Sequence, residues 1–340
     1  MLTDMYKINI MKINNQKVKS LVLLSLIGST SAKKGNQSEI TLNSLPQMET
    51  NLTKRGNDSS QTLIYAGMPI SLMSYSLDKP VDENAGNCTL GFAINGVALS
   101  DWCSAVGNSF ITSARCCQKH NHCFSFTVLS PNEKEINVGK VQQSTYIDTS
   151  GWKRINFDYL RMSLPYLEED RNKVRITPYV MGGDEDFYPV IGLGSVTIGS
   201  QVCAYGAGSG YLCGKLIEIG SSWEFIKEGY NENFTFVVNK VDLGEGHGFD
   251  SERDLGGPVY VANTIGDTTV AQALGYISGV DYSDLNHKIF YYTPLSAFFN
   301  YAKELNDAWG ECEIELMTYN ETHAQQYDQL IAQMEIPVKK

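Results

Sequence analysis

The sequence predicts an all-β globule of short strands, and three observations predict it. Short apolar segments recur between turn signals, 30 Gly and 10 Pro residues supply the turns, and 19 Tyr with 13 Phe supply β-favouring rings. Hydrophobic residues make up 42% of the 340, enough for a packed core, so disorder across the whole chain is excluded. That length allows one or two domains. Thirty-eight acidic against 27 basic residues give a net charge of −11, which opposes a nucleic-acid partner.

The first sixty residues read as export signals. Residues 11–32, MKINNQKVKSLVLLSLIGSTSA, have the plan of a signal peptide. Lys12, Lys17 and Lys19 form the positive region, Leu21 to Ile27 the apolar run, and Thr30 and Ala32 the small residues of a cleavage site. The run is too short to cross a bilayer, and no membrane span is expected. Residues 33–62 are polar and without hydrophobic period, as in a propeptide or linker, and contain the dibasic pair Lys54-Arg55. Residues 1–55 hold eight basic and three acidic residues, so a chain cleaved after Arg55 is more acidic than the precursor. Glycosylation sequons stand at Asn36, Asn51, Asn57, Asn87, Asn233 and Asn320. The expected location is secreted and extracellular.

In an oxidising compartment the eight cysteines (Cys88, Cys103, Cys116, Cys117, Cys123, Cys203, Cys213 and Cys312) read as disulfides. The stretch CCQKHNHC, Cys116 to Cys123, also contains His120 and His122. Its metal-cluster reading is the weaker one, because such zinc sites belong mainly to reducing compartments. No metal and no cofactor is expected.

In chain order the strand candidates are TLGFAI from Thr89, NSFITSA from Asn108, CFSFTVL from Cys123 and VRITPYVM from Val174. KLIEIG from Lys215, FTFVVNKV from Phe234, GPVYVAN from Gly257 and ALGYISG from Ala273 follow. Their brevity and glycine-rich spacing fit a barrel or a sandwich, without the alternating helices of a parallel α/β sheet. Only Ser296 to Leu305 and His323 to Met334 have helical character. In the second, Tyr327, Leu330, Ile331 and Met334 have helix-like spacing and suit a short amphipathic helix packed on the barrel.

Three segments carry a family resemblance. FITSARC, Phe110 to Cys116, resembles the segment bearing the catalytic histidine of chymotrypsin-like serine peptidases. NFDYLRMSL, from Asn156, resembles the segment bearing their aspartate, and DLGGPVY, Asp254 to Tyr260, resembles their GDSGGP signature. CTLGFAI at Cys88 and VCAYGAGSGYLCG at Val202 are similar to the bacterial-type branch, the streptogrisin and α-lytic protease group. The resemblance runs from about Leu63 to Leu305. It implies a domain over residues 63–305 with a chymotrypsin-like double six-stranded β-barrel and a C-terminal helix, then a short C-terminal extension over 306–340. It also implies the disulfides Cys88–Cys116 and Cys203–Cys213. The other four cysteines allow three pairings, and Cys312 lies where a bridge could tie the extension to the barrel.

Aligned on these motifs, the catalytic machinery is degenerate. Asp158 is retained where the orienting aspartate belongs, Arg115 stands at the histidine position and Leu255 at the serine position. Leucine has no nucleophilic atom, and a guanidinium with a pKa above about 12 is no base at neutral pH. Arg253 replaces the glycine whose amide helps form the oxyanion hole. Ser251 lies outside the turn that presents the nucleophile, and His247 reads as part of a solvent-facing GEGHG turn. Asp254 is kept, and in the family this carboxylate pairs with a freed N-terminus or an internal cation. Ile277, Ser278 and Gly279 match the edge that holds substrate backbone in active relatives, and strand addition there needs only main-chain groups. The expectation is a non-catalytic pseudoprotease that binds a protein or peptide; the alternative is a divergent active endopeptidase using other residues. The partner's identity and the oligomeric state are left open.

Overall fold

The computed structural model describes residues 62–76, 79–98, 109–117, 123–129, 135–144, 158–163, 174–183, 186–226, 233–246, 248–283, 288–309 and 312–320. The signal peptide, residues 33–61, Asn36, Asn51, Asn57, Cys103, His120, His122, His247 and the helix expected over 323–334 lie outside the described residues.

The first strands are β1 (Thr62–Ala66), β2 (Pro69–Ser76), β3 (Lys79–Thr89), β4 (Ala93–Ala98) and β5 (Ser109–Thr112). After a single 3-10 turn, Ala114–Cys117, come β6 (Cys123–Leu129), β7 (Glu135–Ser144) and β8 (Leu160–Ser163). The second half holds β9 (Val174–Met181), β10 (Phe187–Leu193), β11 (Gln201–Gly206), β12 (Gly210–Ile226) and β13 (Asn233–Asp242). It ends with β14 (Pro258–Ile265), β15 (Thr268–Asp281), β16 (Ile289–Pro294), helix α1 (Leu295–Trp309) and β17 (Cys312–Leu316).

These strands form two sheets, the all-β architecture the sequence predicts. In the second, β16 pairs with both β13 and β15, so β15, β14, β11, β12, β13 and β16 close a six-stranded ring. The first has the order β17-β4-β5-β8-β7-β6-β2-β3: a run of six strands from β4 to β2, with β17 and β3 at its edges. Strands covered on both sides carry long apolar runs. All four residues of β5 are buried, and so is β15 from Ala273 to Gly279. β14 is buried at Pro258 to Tyr260 and exposed from Asn263 onward, as it leaves the core.

Helix α1 buries Leu295, Phe298 and Ala302, spaced for one helical face, and exposes Ser296, Asn300 and Lys303. Tyr159, just before β8, meets that face, with its ring 5.7 Å from Phe298 and 5.9 Å from Tyr301. The chain then returns to the first sheet. β17 pairs antiparallel with β4 from Cys312↔Ala98 to Leu316↔Ile94. Beyond it, the Met317 amide donates to the Ala93 carbonyl and the Tyr319 amide to that of Val190. Leu305, where the expected domain ends, lies inside α1, and the residues as far as Asn320 pair and pack with the sheets. CEIEL is too short and too charged to stand out, because only one of its faces packs inward.

Among the described residues, no helix is long and apolar enough to cross a membrane. Met317 is 7% exposed in the core of the first sheet. Met317→Ala is expected to lower stability by about 2–4 kcal/mol in urea unfolding. A loss below about 0.5 kcal/mol, the range of ordinary surface substitutions, would show the extension to be dispensable.

Candidate functional site

The sequence-predicted positions converge where the Asp250–Gly257 turn meets the first sheet. The Thr89 amide donates to the Leu255 carbonyl at 2.9 Å, and the Thr89 hydroxyl donates to the Arg253 carbonyl at 2.8 Å. On the other side, the Gly256 amide donates to the Ile277 carbonyl at 2.7 Å and the Ile277 amide to that of Gly257 at 2.8 Å. The turn is thus bonded to both sheets.

Asp254 is fully buried, and main-chain donors surround its carboxylate. Oδ1 accepts the amides of Gly208 at 2.6 Å and Ser209 at 3.2 Å, and Oδ2 accepts the Asp250 amide at 2.6 Å. Amides therefore supply the bonds that the family resemblance assigned to a terminal ammonium or an internal cation. Asp250 in turn accepts through Oδ1 from the amides of Glu252 at 2.8 Å and Arg253 at 2.7 Å. The Arg253 amide, at the position that the sequence resemblance matches to the oxyanion hole, is thus engaged by a carboxylate of its own turn. Sequence reasoning missed Asp250, although an Asp that accepts amides two and three residues ahead is a common turn device.

Leu255 is 1% exposed and belongs to the apolar cluster that includes Leu90, Phe110 and the cysteines of the Cys88–Cys116 bridge. Its side chain is core, where a nucleophile would have to reach solvent. Ser251 is exposed in the same turn.

Asp158 is also fully buried. It accepts the Ser113 hydroxyl through Oδ2 and the Ala114 amide at 2.8 Å through Oδ1, while the Tyr276 hydroxyl donates to its main-chain carbonyl. Burial pushes its carboxyl up to about 6, against the opposing pull of the Ser113 hydroxyl, the Arg115 charge, the Ala114 amide and the Ser278 hydroxyl. Ser113 was not singled out from the sequence. Its hydroxyl also accepts the Arg115 amide at 3.1 Å, so it organises the turn that carries Arg115.

The Arg115 side chain crosses to the second sheet. Its Nη1 donates to the Ser278 carbonyl at 2.6 Å, and its Cζ lies 4.6 Å from the centre of the Trp223 ring. A stack of this kind contributes about 0.5–2 kcal/mol. Trp223, also unmarked in the sequence, is stacked on Tyr291 at 5.1 Å and 11°. The Ser278 carbonyl can be reached because the β15–β16 register shifts between Ile277 and Gly279. Ile277, Ser278 and Gly279 are all buried. The edge expected to take a peptide therefore has its Ser278 acceptor engaged from within, and a peptide there would have to displace Arg115.

Cys88 bonds to Cys116 and Cys203 to Cys213, and Cys117 bonds to Cys123. The first bridge holds the Arg115 turn against the end of β3, and the third removes two cysteines from the metal reading of CCQKHNHC. Asn87 and Asn320 are exposed, and Asn233 opens β13.

No family model matches the sequence, and no curated protein matches it. Among solved structures, the chain is similar to protease A of Thermobifida fusca, at 17% identity and TM-score 0.45, over 76% of this chain and all of that one. It is similar to a chymotrypsin of Cellulomonas bogoriensis, at 18% and 0.44, over 76% and 100% of the two chains. An alpha-lytic protease homologue aligns at 14% and 0.44, over 74% and 99%. Likeness at this level assigns no role to any residue.

Asp158 provides a test of the buried site. Its folded pKa of about 6 lies above the ordinary value of 3.8, so the folded chain retains this proton while the unfolded chain releases it. Stability from this group is therefore greatest below about pH 4, falls between pH 4 and 6, and stays lower above 6. Asp158→Asn removes that titration. In urea unfolding, the variant is expected to gain about 2–3 kcal/mol relative to the parent between pH 3.5 and 7.5. A difference independent of pH would refute the raised carboxyl.

Proposed function

We propose that the chain is a secreted homologue of the chymotrypsin-like serine peptidases that binds a peptide or protein without cleaving it. The observation that carries this reading is the Leu255 side chain, 1% exposed in the core at the place where the family resemblance puts the nucleophile. Acyl transfer requires an attacking atom, a base to take its proton and donors for the oxyanion. At the three corresponding positions stand an apolar side chain, a guanidinium bonded to Ser278, and an amide bonded to Asp250. Asp158 serves the fold through Ser113, Ala114 and Tyr276, and Arg115 stands where the resemblance puts the imidazole it would orient. Three disulfides support export to an oxidising compartment, and the signal-peptide pattern of residues 11–32 points the same way.

Incubating the full chain with a serine-reactive phosphonate is expected to give no covalent adduct by mass spectrometry. An adduct abolished by Ser251→Ala would overturn the reading in favour of an active endopeptidase. The double variant Arg115→His, Leu255→Ser is expected to give little hydrolysis of peptide esters, because the Arg253 amide stays bonded to Asp250. One lost oxyanion donor alone costs about 100–1,000-fold in turnover. Clear hydrolysis by the double variant would show that this donor is available.

A further inference from the structure

We propose that Trp223, Ser278 and Asp158 form a guanidinium-binding site that Arg115 fills from within the chain, and that an arginine side chain of a partner peptide competes for it. The peptide half rests on the binding function above; the site itself stands on its own geometry.

A guanidinium is planar, weakly hydrated and cationic, and its sites combine an aromatic face, an oxygen acceptor and negative charge. All three are present. Trp223 supplies the face at 4.6 Å, and its stack on Tyr291 holds the indole in place. The Ser278 carbonyl supplies the acceptor at 2.6 Å, at the register shift that takes it out of the β15–β16 ladder. Asp158 supplies the charge, and its carboxylate is stabilised by the Arg115 cation. Gly279 leaves the room. A Cβ there would stand 2.4 Å from the Trp223 ring and 2.8 Å from Arg115 Nη1, so only bare backbone lets the cation settle between ring and carbonyl. The net charge of −11 favours the approach of a cationic ligand over an acidic one.

Arg115 is an intrachain ligand, held on a turn that the Cys88–Cys116 bridge fixes to β3. Tethering gives it a high effective concentration, so an external guanidinium binds the unmodified chain weakly and binds well once the tethered one is removed.

The test uses the full chain, methylguanidinium as the probe, and tryptophan emission with thermal melting as readouts. Arg115→Ala is expected to bind methylguanidinium saturably, at least about tenfold tighter than the parent, with a rise in Tm, and to ignore methylammonium. Adding Trp223→Ala is expected to abolish the rise in Tm. A folded Arg115→Ala variant that does not bind, or that binds no tighter than the parent, would overturn the site, as would binding that survives Trp223→Ala. Should Arg115→Ala not fold alone, methylguanidinium in the refolding buffer is expected to restore native near-ultraviolet dichroism. Failure to restore it counts against the site. An arginine-bearing peptide is expected to displace the probe from Arg115→Ala. If the small ion binds and the peptide does not displace it, the peptide half is overturned while the site stands. Phosphonate labelling of Ser251 would overturn the non-cleaving function without touching either result.

Discussion

At Gly256 the chain approaches the first sheet so closely that no side chain fits between them. The residue has φ +83°, and a Cβ built on it would lie 1.7 Å from Thr112 Oγ1 and 2.6 Å from the Thr89 carbonyl oxygen. Only glycine meets both the left-handed backbone and the missing volume. Gly91 repeats the constraint nearby, with a built Cβ 2.0 Å from the Ile111 carbonyl oxygen and 3.0 Å from that of Gly256. The seam between the sheets is therefore a backbone-to-backbone contact. The bonds from Thr89 to Leu255 and from Gly256 to Ile277 depend on that closeness, and the candidate site hangs from them.

This seam separates what can vary from what cannot. Two carboxylates are buried beside it, and an unpaired buried charge is among the costliest defects in a fold. Asp254 is satisfied by amides alone. Asp158 is satisfied by an amide and hydroxyls, with the Arg115 charge nearby. Neither requires an imidazole or a serine hydroxyl at positions 115 and 255. Changes there leave no buried carboxylate without donors, whereas a change at Gly256 would drive side chain into backbone. The glycine pair and Asp254 of DLGGP are thus accounted for by packing and hydrogen bonding.

The sequence made the strand-rich class, the Cys88–Cys116 and Cys203–Cys213 bridges and the strands β9, β13 and β15 legible, because each follows from local apolar runs or matching motifs. Helix α1 was visible from SAFFNYAKEL, though its last turn was not. β17 was hidden because Glu313 and Glu315 face solvent on a five-residue strand that pairs, among the described residues, with β4 alone, more than two hundred positions earlier. The site was legible as a set of substitutions and illegible as a set of contacts. Arg115 read as a missing base; its bond to Ser278 spans 163 positions, and its stack on Trp223 has no sequence signal. Asp250 alone carried a local signal, its amide partners lying two and three residues ahead, yet the sequence reading passed it over.

The three positions that the sequence resemblance matches to catalytic groups are coupled through the contact each makes. Asp250 engages a main-chain donor, Arg115 engages a main-chain acceptor, and Leu255 fills apolar volume. Each contact stabilises the seam by using a group that bond cleavage or peptide binding would otherwise need. Exchanging leucine for serine at 255 would give up about 2–5 kcal/mol of core packing and leave a hydroxyl among apolar neighbours. The carbonyl oxygen of a substrate it attacked would still face an amide held by Asp250. Exchanging arginine for histidine at 115 would free the Ser278 carbonyl and strip Trp223 of its cation, without returning an attacking atom. On the proposed reading, acyl transfer at these positions would have to displace a set of occupied partners, each stabilised in its present contact, and exchanging one position alone leaves the other two in place.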